Sequence, residues 1–211
     1  YIGGGTPSCL DLENLKYLLE TLKIFKTSNL EYTIEINIES INEEKLKLFA
    51  YYGINRISVG IETFNDKYLK CLGRNYKETD IVPKINLIKK YFTNINVDLM
   101  YAFPNQTLKE LKEDLKKIKE LNINHVSCYS LIIEPNTILY NQKTKNIDED
   151  LDYLMYQEII KSLNKFKHYE ISNFAIPGFE SQHNLTYWNN LEYYGFGLGA
   201  SGYIDDTRYT N

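Results

Sequence analysis

The stretch Asn55-Arg56-Ile57-Ser58-Val59-Gly60-Ile61-Glu62 sets Ile57, Val59 and Ile61 against Arg56, Ser58, Gly60 and Glu62, the period of two that marks a β-strand. The device recurs on either side. Upstream, Glu31 to Ile38 opposes Ile34, Ile36 and Ile38 to Thr33, Glu35 and Asn37; downstream, Ile95 to Tyr101 opposes Val97 and Leu99 to Asn96, Asp98 and Met100. Helical periodicity fills the intervals. Leu12, Leu15, Leu18, Leu19, Leu22 and Phe25 follow Asp11 as N-cap. A short helix is expected over 42–52, another helical stretch ends near Tyr91, and a helix from Leu108 to Leu121 leads to a strand over Val126 to Ile132. The chain reads as a βα repeat, hence an α/β fold.

Helical crossovers imply parallel strands, which are normally apolar on both faces. These strands are polar on one. A sheet with one solvated face would explain that, but it calls for antiparallel hairpins, and the intervening segments are too long and too helical. A barrel whose apolar residues face the helices and whose polar residues line a lumen explains it with a polar ligand inside. Glu35, Glu62 and Asp98 are then expected near the carboxyl ends of strands, where such barrels keep their sites. Nothing interrupts residues 1 to about 175; after Tyr169 the composition shifts, and Ile171 to Tyr203 is rich in Gly and aromatic residues.

Composition narrows the class. The 211 residues carry a net charge of −4, with 43% hydrophobic and 25% charged residues, as in soluble globular proteins. Apolar runs fall well short of the ~20 residues that span a bilayer. Acidic balance and scattered lysines give no basic face, so nucleic acid is not an expected partner. Cys9, Cys71 and Cys128 lie too far apart for a zinc or disulfide framework and suit a reducing, cytoplasmic setting. The chain opens at Tyr1 without Met, on a glycine turn that normally follows a strand, which is expected of a fragment.

Several residues could carry chemistry. Gly3-Gly4-Gly5-Thr6-Pro7 lies between a strand end and a helix start; it either lets a ligand approach the backbone or simply turns tightly. Carboxylates sharing a cavity need cationic or hydroxyl partners, and the buried Arg56 is expected to form a structural ion pair. Arg74, in a loop past a strand end, offers a planar fork suited to a carboxylate. His183-Asn184-Leu185-Thr186-Tyr187-Trp188 joins an imidazole to two aromatic rings, either a packing motif or a site for a flat macrocycle and its iron. His125 and His168 are expected to be structural or solvated, and Gly195 to Ala200 either wraps a ligand or turns.

In order along the chain, Gly3 to Ser8, Asn55 to Glu62, Leu72-Gly73-Arg74, Val97 to Tyr101 with Pro104 and Gln106-Thr107, and Tyr169 to Ala175 resemble one family. It is the radical S-adenosylmethionine (SAM) proteins related to oxygen-independent coproporphyrinogen III oxidase. Tyr-Glu-Ile-Ser-Asn-Phe-Ala followed by His-Asn-x-x-Tyr-Trp resembles its heme-chaperone branch. The likeness implies an incomplete (βα)6 TIM-like barrel over residues 1–175, with its first βα unit absent. Residues 176–211 would begin a carboxyl-terminal region whose domain is missing here.

The same likeness implies cofactors. Gly4, Gly5, Thr6 and Glu35 match the hold on SAM; Glu62, Arg74, Asp98 and Ser130 match positions around it or a second small-molecule site. His183, with Tyr187 and Trp188, begins the motif of heme-binding members. The [4Fe–4S] ligands of the family lie in a Cys-x3-Cys-x2-Cys motif upstream of the glycine turn, so no metal ligand is expected within this chain and radical chemistry is expected to be beyond it. Heme or porphyrin and heme-acceptor proteins are the implied partners. The alternative is the oxidase itself, decarboxylating coproporphyrinogen III; a third is an unrelated barrel enzyme with a phosphate at the glycine turn. Two departures stand out: Glu62 replaces the usual Gln, and Ser201 stands where a His commonly follows Gly-Ala.

Overall fold

The computed structural model describes residues 1–211, the side chain of Ile138 excepted. A 3-10 turn at Pro7–Cys9 follows the glycines, and then come α1 (Leu12–Leu22), β1 (Thr33–Asn37), α2 (Glu43–Tyr52), β2 (Arg56–Glu62), α3 (Asp66–Cys71) and α4 (Glu78–Lys89). β3 (Asn94–Tyr101), α5 (Leu108–Glu120), β4 (His125–Ser130), α6 (Ile138–Asn141) and α7 (Glu149–Ser162) continue the alternation. β5 (Lys167–His168), β6 (Asn173–Ala175), α8 (Gln182–Trp188), β7 (Ser201–Ile204) and β8 (Thr207–Thr210) complete the chain.

The helices start where the side chains cap them. Asp11, Asn42 and Thr107 each accept a backbone N–H from the first turn of α1, α2 and α5, and Thr107 and Glu110 form a reciprocal capping box. Gly53 ends α2 at φ 81°, a left-handed position that glycine takes without strain.

One mixed sheet runs in the order β1-β2-β3-β4-β6-β5. β1 to β4 are parallel, β6 is antiparallel to β4, and β5 is antiparallel to β6. Ile2 bridges Ile34 in parallel, so the segment before the glycine turn lies alongside β1, as the sequence suggests. β7 and β8 form a separate hairpin. The strand expected to reach Ile132 stops at Ser130: Leu131 still donates to the Tyr101 carbonyl, after which the chain leaves toward Pro135, which has no N–H to give a ladder.

Ile34, Ile57, Val59, Ile61, Val97, Leu99 and Val126 are buried together with Leu15, Leu46, Phe49, Ile85 and Leu115 of the helices in one core. The opposite face of the sheet is polar, and at its centre Ser58, Asn96, His125 and Ser127 are all buried. The solvated-face reading, which calls for antiparallel hairpins, falls because β1 to β4 are parallel.

Candidate functional site

The glycine turn meets β1 through Glu35. A Cβ on Gly3 would sit 2.7 Å from the Glu35 carboxyl carbon, so the backbone passes this carboxylate as only glycine can. Gly4 has φ 97°, and neither it nor Gly5 has an atom within 4 Å of a built Cβ, so their backbone is open to a ligand. Glu35 accepts the Tyr1 hydroxyl at 2.6 Å. Burial raises its pKa, against that hydrogen bond and one from the Gly4 N–H.

Glu62 ends β2 at φ 60°, just after a register shift between Gly60 and Glu62, and Ala102 follows β3 at φ 60°. Left-handed non-glycine backbone costs free energy, and here it gathers at the carboxyl edge of the sheet, turning Glu62 onto Arg74 at 2.5 Å. Burial pushes the Glu62 carboxyl above its ordinary range, with the Arg74 charge opposing. Ser130, at the end of β4, donates to Asp152 of α7 at 2.9 Å.

Deeper on the polar face, Asp98 accepts from Asn96 Nδ2 at 2.8 Å and Ser58 Oγ at 3.2 Å. Its pKa is raised by burial, the hydrogen bonds opposing. Neither Glu35 nor Asp98 has a cation within ion-pair distance among the described residues. Alternation fixed their face but not their depth: both lie within their strands rather than at the carboxyl ends, and of the three only Glu62 is terminal.

From Asp98 the hydrogen bonds run on to α8. Asn96 Oδ1 meets His125 Nδ1 at 2.5 Å and accepts from Ser127 Oγ at 3.2 Å. His125 Nε2 meets the Tyr169 hydroxyl at 2.7 Å, which also accepts from the Ser181 N–H and Asn184 Nδ2, both at 3.3 Å. Burial drives the His125 pKa down to about 2, so the ring is neutral. The α8 amino end is held from the other side by Glu31, which accepts the Gln182 N–H at 3.0 Å and the His183 N–H at 3.4 Å.

α8 presents the aromatic motif. His183 stacks on Tyr1 with ring centroids 4.1 Å apart and meets Tyr187 edge-on at 4.7 Å. Its pKa falls to about 4, burial being the main cause, so the imidazole is neutral at pH 7 and can offer a lone pair to iron. Tyr187 and Trp188 are exposed, free to lie against a flat ligand. Ser201 is exposed in β7, paired with Thr210 in the hairpin. Gly195 to Ala200 turns, with Gly197 and Gly199 at positive φ, and presents Leu198 to solvent.

The radical SAM superfamily matches residues 1–126 of the 211. The chain belongs to the radical SAM superfamily. Its curated relatives include a protein of Lactococcus lactis named heme chaperone HemW, 43% identical over all of this chain and 58% of its own length. A Bacillus subtilis protein of the same name is 40% identical over the same shares. The chain thus spans little more than half the length of these relatives. Among solved structures, the Escherichia coli coproporphyrinogen III oxidase HemN, described as a radical SAM enzyme, superposes with a TM-score of 0.84 over 99% of this chain and 53% of its own, at 24% identity. That likeness speaks for the fold.

Superfamily membership implies SAM and a [4Fe–4S] cluster, and the residues answer differently for each. Two desolvated carboxylates without cations, beside a glycine turn with open backbone, suit a ligand that carries an ammonium and a sulfonium. The cluster has no such fit: Cys9 is exposed, Cys128 buried and Cys71 between, and no group of three His, Cys, Asp or Glu among the described residues could hold a metal ion.

Arg56 corrects an expectation. It is 2% exposed, yet no carboxylate among the described residues lies within ion-pair distance and its Nε has no partner. Asp98, one of the carboxylates on the same face, turns to Ser58 and Asn96. Tyr169 and Glu31 were missed by residue reading alone, since their partners lie 12 to 152 positions away. His168, exposed and stacked on Phe174 at 4.3 Å, takes no part.

Proposed function

We propose that the protein is a heme chaperone built on the radical SAM fold, binding heme at α8 and passing it to acceptor proteins. The observation that carries this reading is the likeness, over the whole of this chain and 58% of their own length, to relatives named heme chaperones. Supporting it is His183, neutral and with no hydrogen bond to its ring nitrogens among the described residues, on a helix fixed by Glu31 and Tyr169. In this reading His183 ligates the iron while Tyr187 and Trp188 cover part of the macrocycle.

SAM is assigned to Gly4, Gly5, Thr6, Glu35, Glu62, Arg74, Asp98 and Ser130. When bound beside a reduced cluster it supplies radical chemistry. This chain's residues bind and orient it: the open turn offers backbone N–H and C=O groups, Glu35 and Asp98 balance the cationic end, and Glu62 holds the Arg74 fork in place. Residues 1–175 are assigned to the core of this unit and 176–211 to a second region. None of Cys9, Cys71 and Cys128 is assigned to the cluster.

The test is transfer. Full-length protein loaded with hemin and mixed with an apo heme protein is expected to lose its Soret band as the acceptor gains one. Absence of transfer, together with anaerobic conversion of coproporphyrinogen III to protoporphyrinogen IX, would overturn the chaperone reading in favour of the oxidase.

A further inference from the structure

One layer of the polar face, nearest the amino ends of the strands, is left unsatisfied. Thr33, Arg56 and Asn94 are register partners on β1, β2 and β3, and share the polar face with Glu35, Ser58 and Asn96 by strand alternation. Thr33 Oγ1, Arg56 Nε and Asn94 Oδ1 are all buried without a hydrogen-bond partner. A single orphaned polar atom costs roughly 1–3 kcal/mol, and a buried charge without a partner costs more. Three together on adjacent strands, one a guanidinium, need a common explanation. The layer directly above gives none, because Ser58, Asn96 and His125 are occupied with one another and with Asp98.

What lies near narrows the ligand. Glu31, two residues before Thr33, accepts the Gln182 and His183 N–H groups, so the amino end of α8 lies at the same edge of the sheet as the Thr33–Arg56 pair. The donors on offer are a planar fork and a hydroxyl, and Asn94 adds one acceptor. That set suits a hydrated monoanion of carboxylate geometry. Glu31, the acid that meets α8, is occupied with the backbone of that helix.

We propose that Arg56, with Thr33, is the carboxylate-binding subsite of the tetrapyrrole, taking a propionate arm while the ring lies against α8. This rests on the heme reading above. The subsite orients the macrocycle, since only one edge of heme carries carboxylates, and it removes the cost of an unpaired buried cation only when the cargo is bound.

The test compares hemin with hemin dimethyl ester, which keeps the ring and iron but has no free carboxylate. Soret titrations of the wild-type protein are expected to favour the free acid by about tenfold or more, the worth of one charge-assisted hydrogen bond. Arg56→Met is expected to bring the acid-to-ester ratio close to one, and Arg56→Lys to restore part of it. Equal affinities of the wild type for the two forms would overturn the subsite and leave heme binding standing. An unchanged ratio in folded Arg56→Met would do the same. Absence of a Soret change with either form would overturn the heme reading and the subsite with it. Should Arg56→Met fail to fold by circular dichroism, the wild-type comparison and Arg56→Lys decide.

Discussion

Glu62 concentrates the chemistry of the site into one residue. Its left-handed backbone, its burial and its Arg74 partner all sit where β2 ends. Removing Arg74 leaves a desolvated carboxylate whose pKa burial already raises, so Arg74→Met is expected to lower the melting temperature at pH 7 and to do so less as the pH falls, because protonation removes the unpaired buried charge. Adding Glu62→Gln should recover the loss, and a double variant no more stable than Arg74→Met would show that the pair is not coupled. Asp114 gives a second reading of burial. It accepts from Thr63 Oγ1 at 2.6 Å and the Phe64 N–H at 3.1 Å, and its pKa rises to about 6 because it is buried. A raised carboxyl pKa adds stability that is present below the unfolded value and lost as pH rises through the folded one. Wild-type stability should therefore gain on that of Asp114→Asn as pH falls from 7 to 4, by at most ~3 kcal/mol. Parallel chemical-denaturation curves at all pH values would contradict it.

At the scale of elements, α8 is a short helix attached by side chains rather than by an apolar face, for none of its residues is buried. Tyr169 and Glu31 are the two clamps. Tyr169→Phe removes the partner of His125 Nε2 and frees the Ser181 N–H and Asn184, so it is expected to cost roughly 1–3 kcal/mol and to speed amide exchange across α8. Exchange unchanged in α8 would mean that Glu31 alone holds it. The clamps also explain what the sequence conceals. Period-two alternation is local, and β1, β2 and β3 were legible from it with their polar faces assigned correctly. The link from His125 to Tyr169 crosses 44 positions and that from Glu31 to His183 crosses 152, and no local pattern encodes either. His125, expected to be structural, is the centre of the polar network, and the Arg56 ion pair failed for the converse reason: residue type predicts the need for a partner, not its position.

Across the whole molecule, one sheet separates two kinds of interior. Its helix side is an ordinary apolar core, and its polar side holds three carboxylates with raised pKa values, a buried guanidinium without a partner, and a neutral histidine on an attached helix. Motif order made the superfamily legible, because each strand end carries its own signature; the depth of each residue along its strand became visible only in three dimensions. No helix among the described residues is long and apolar enough to cross a membrane. The central claim is that heme binds through His183. Its most direct measurement is the optical titration of hemin into wild-type protein, His183→Ala and His168→Ala at pH 7 and pH 5.5. The account predicts a saturable Soret shift for the wild type and His168→Ala that persists at pH 5.5, because the His183 imidazole stays neutral to about pH 4, and an affinity at least tenfold lower for His183→Ala. A His183→Ala titration that overlays the wild type would contradict it.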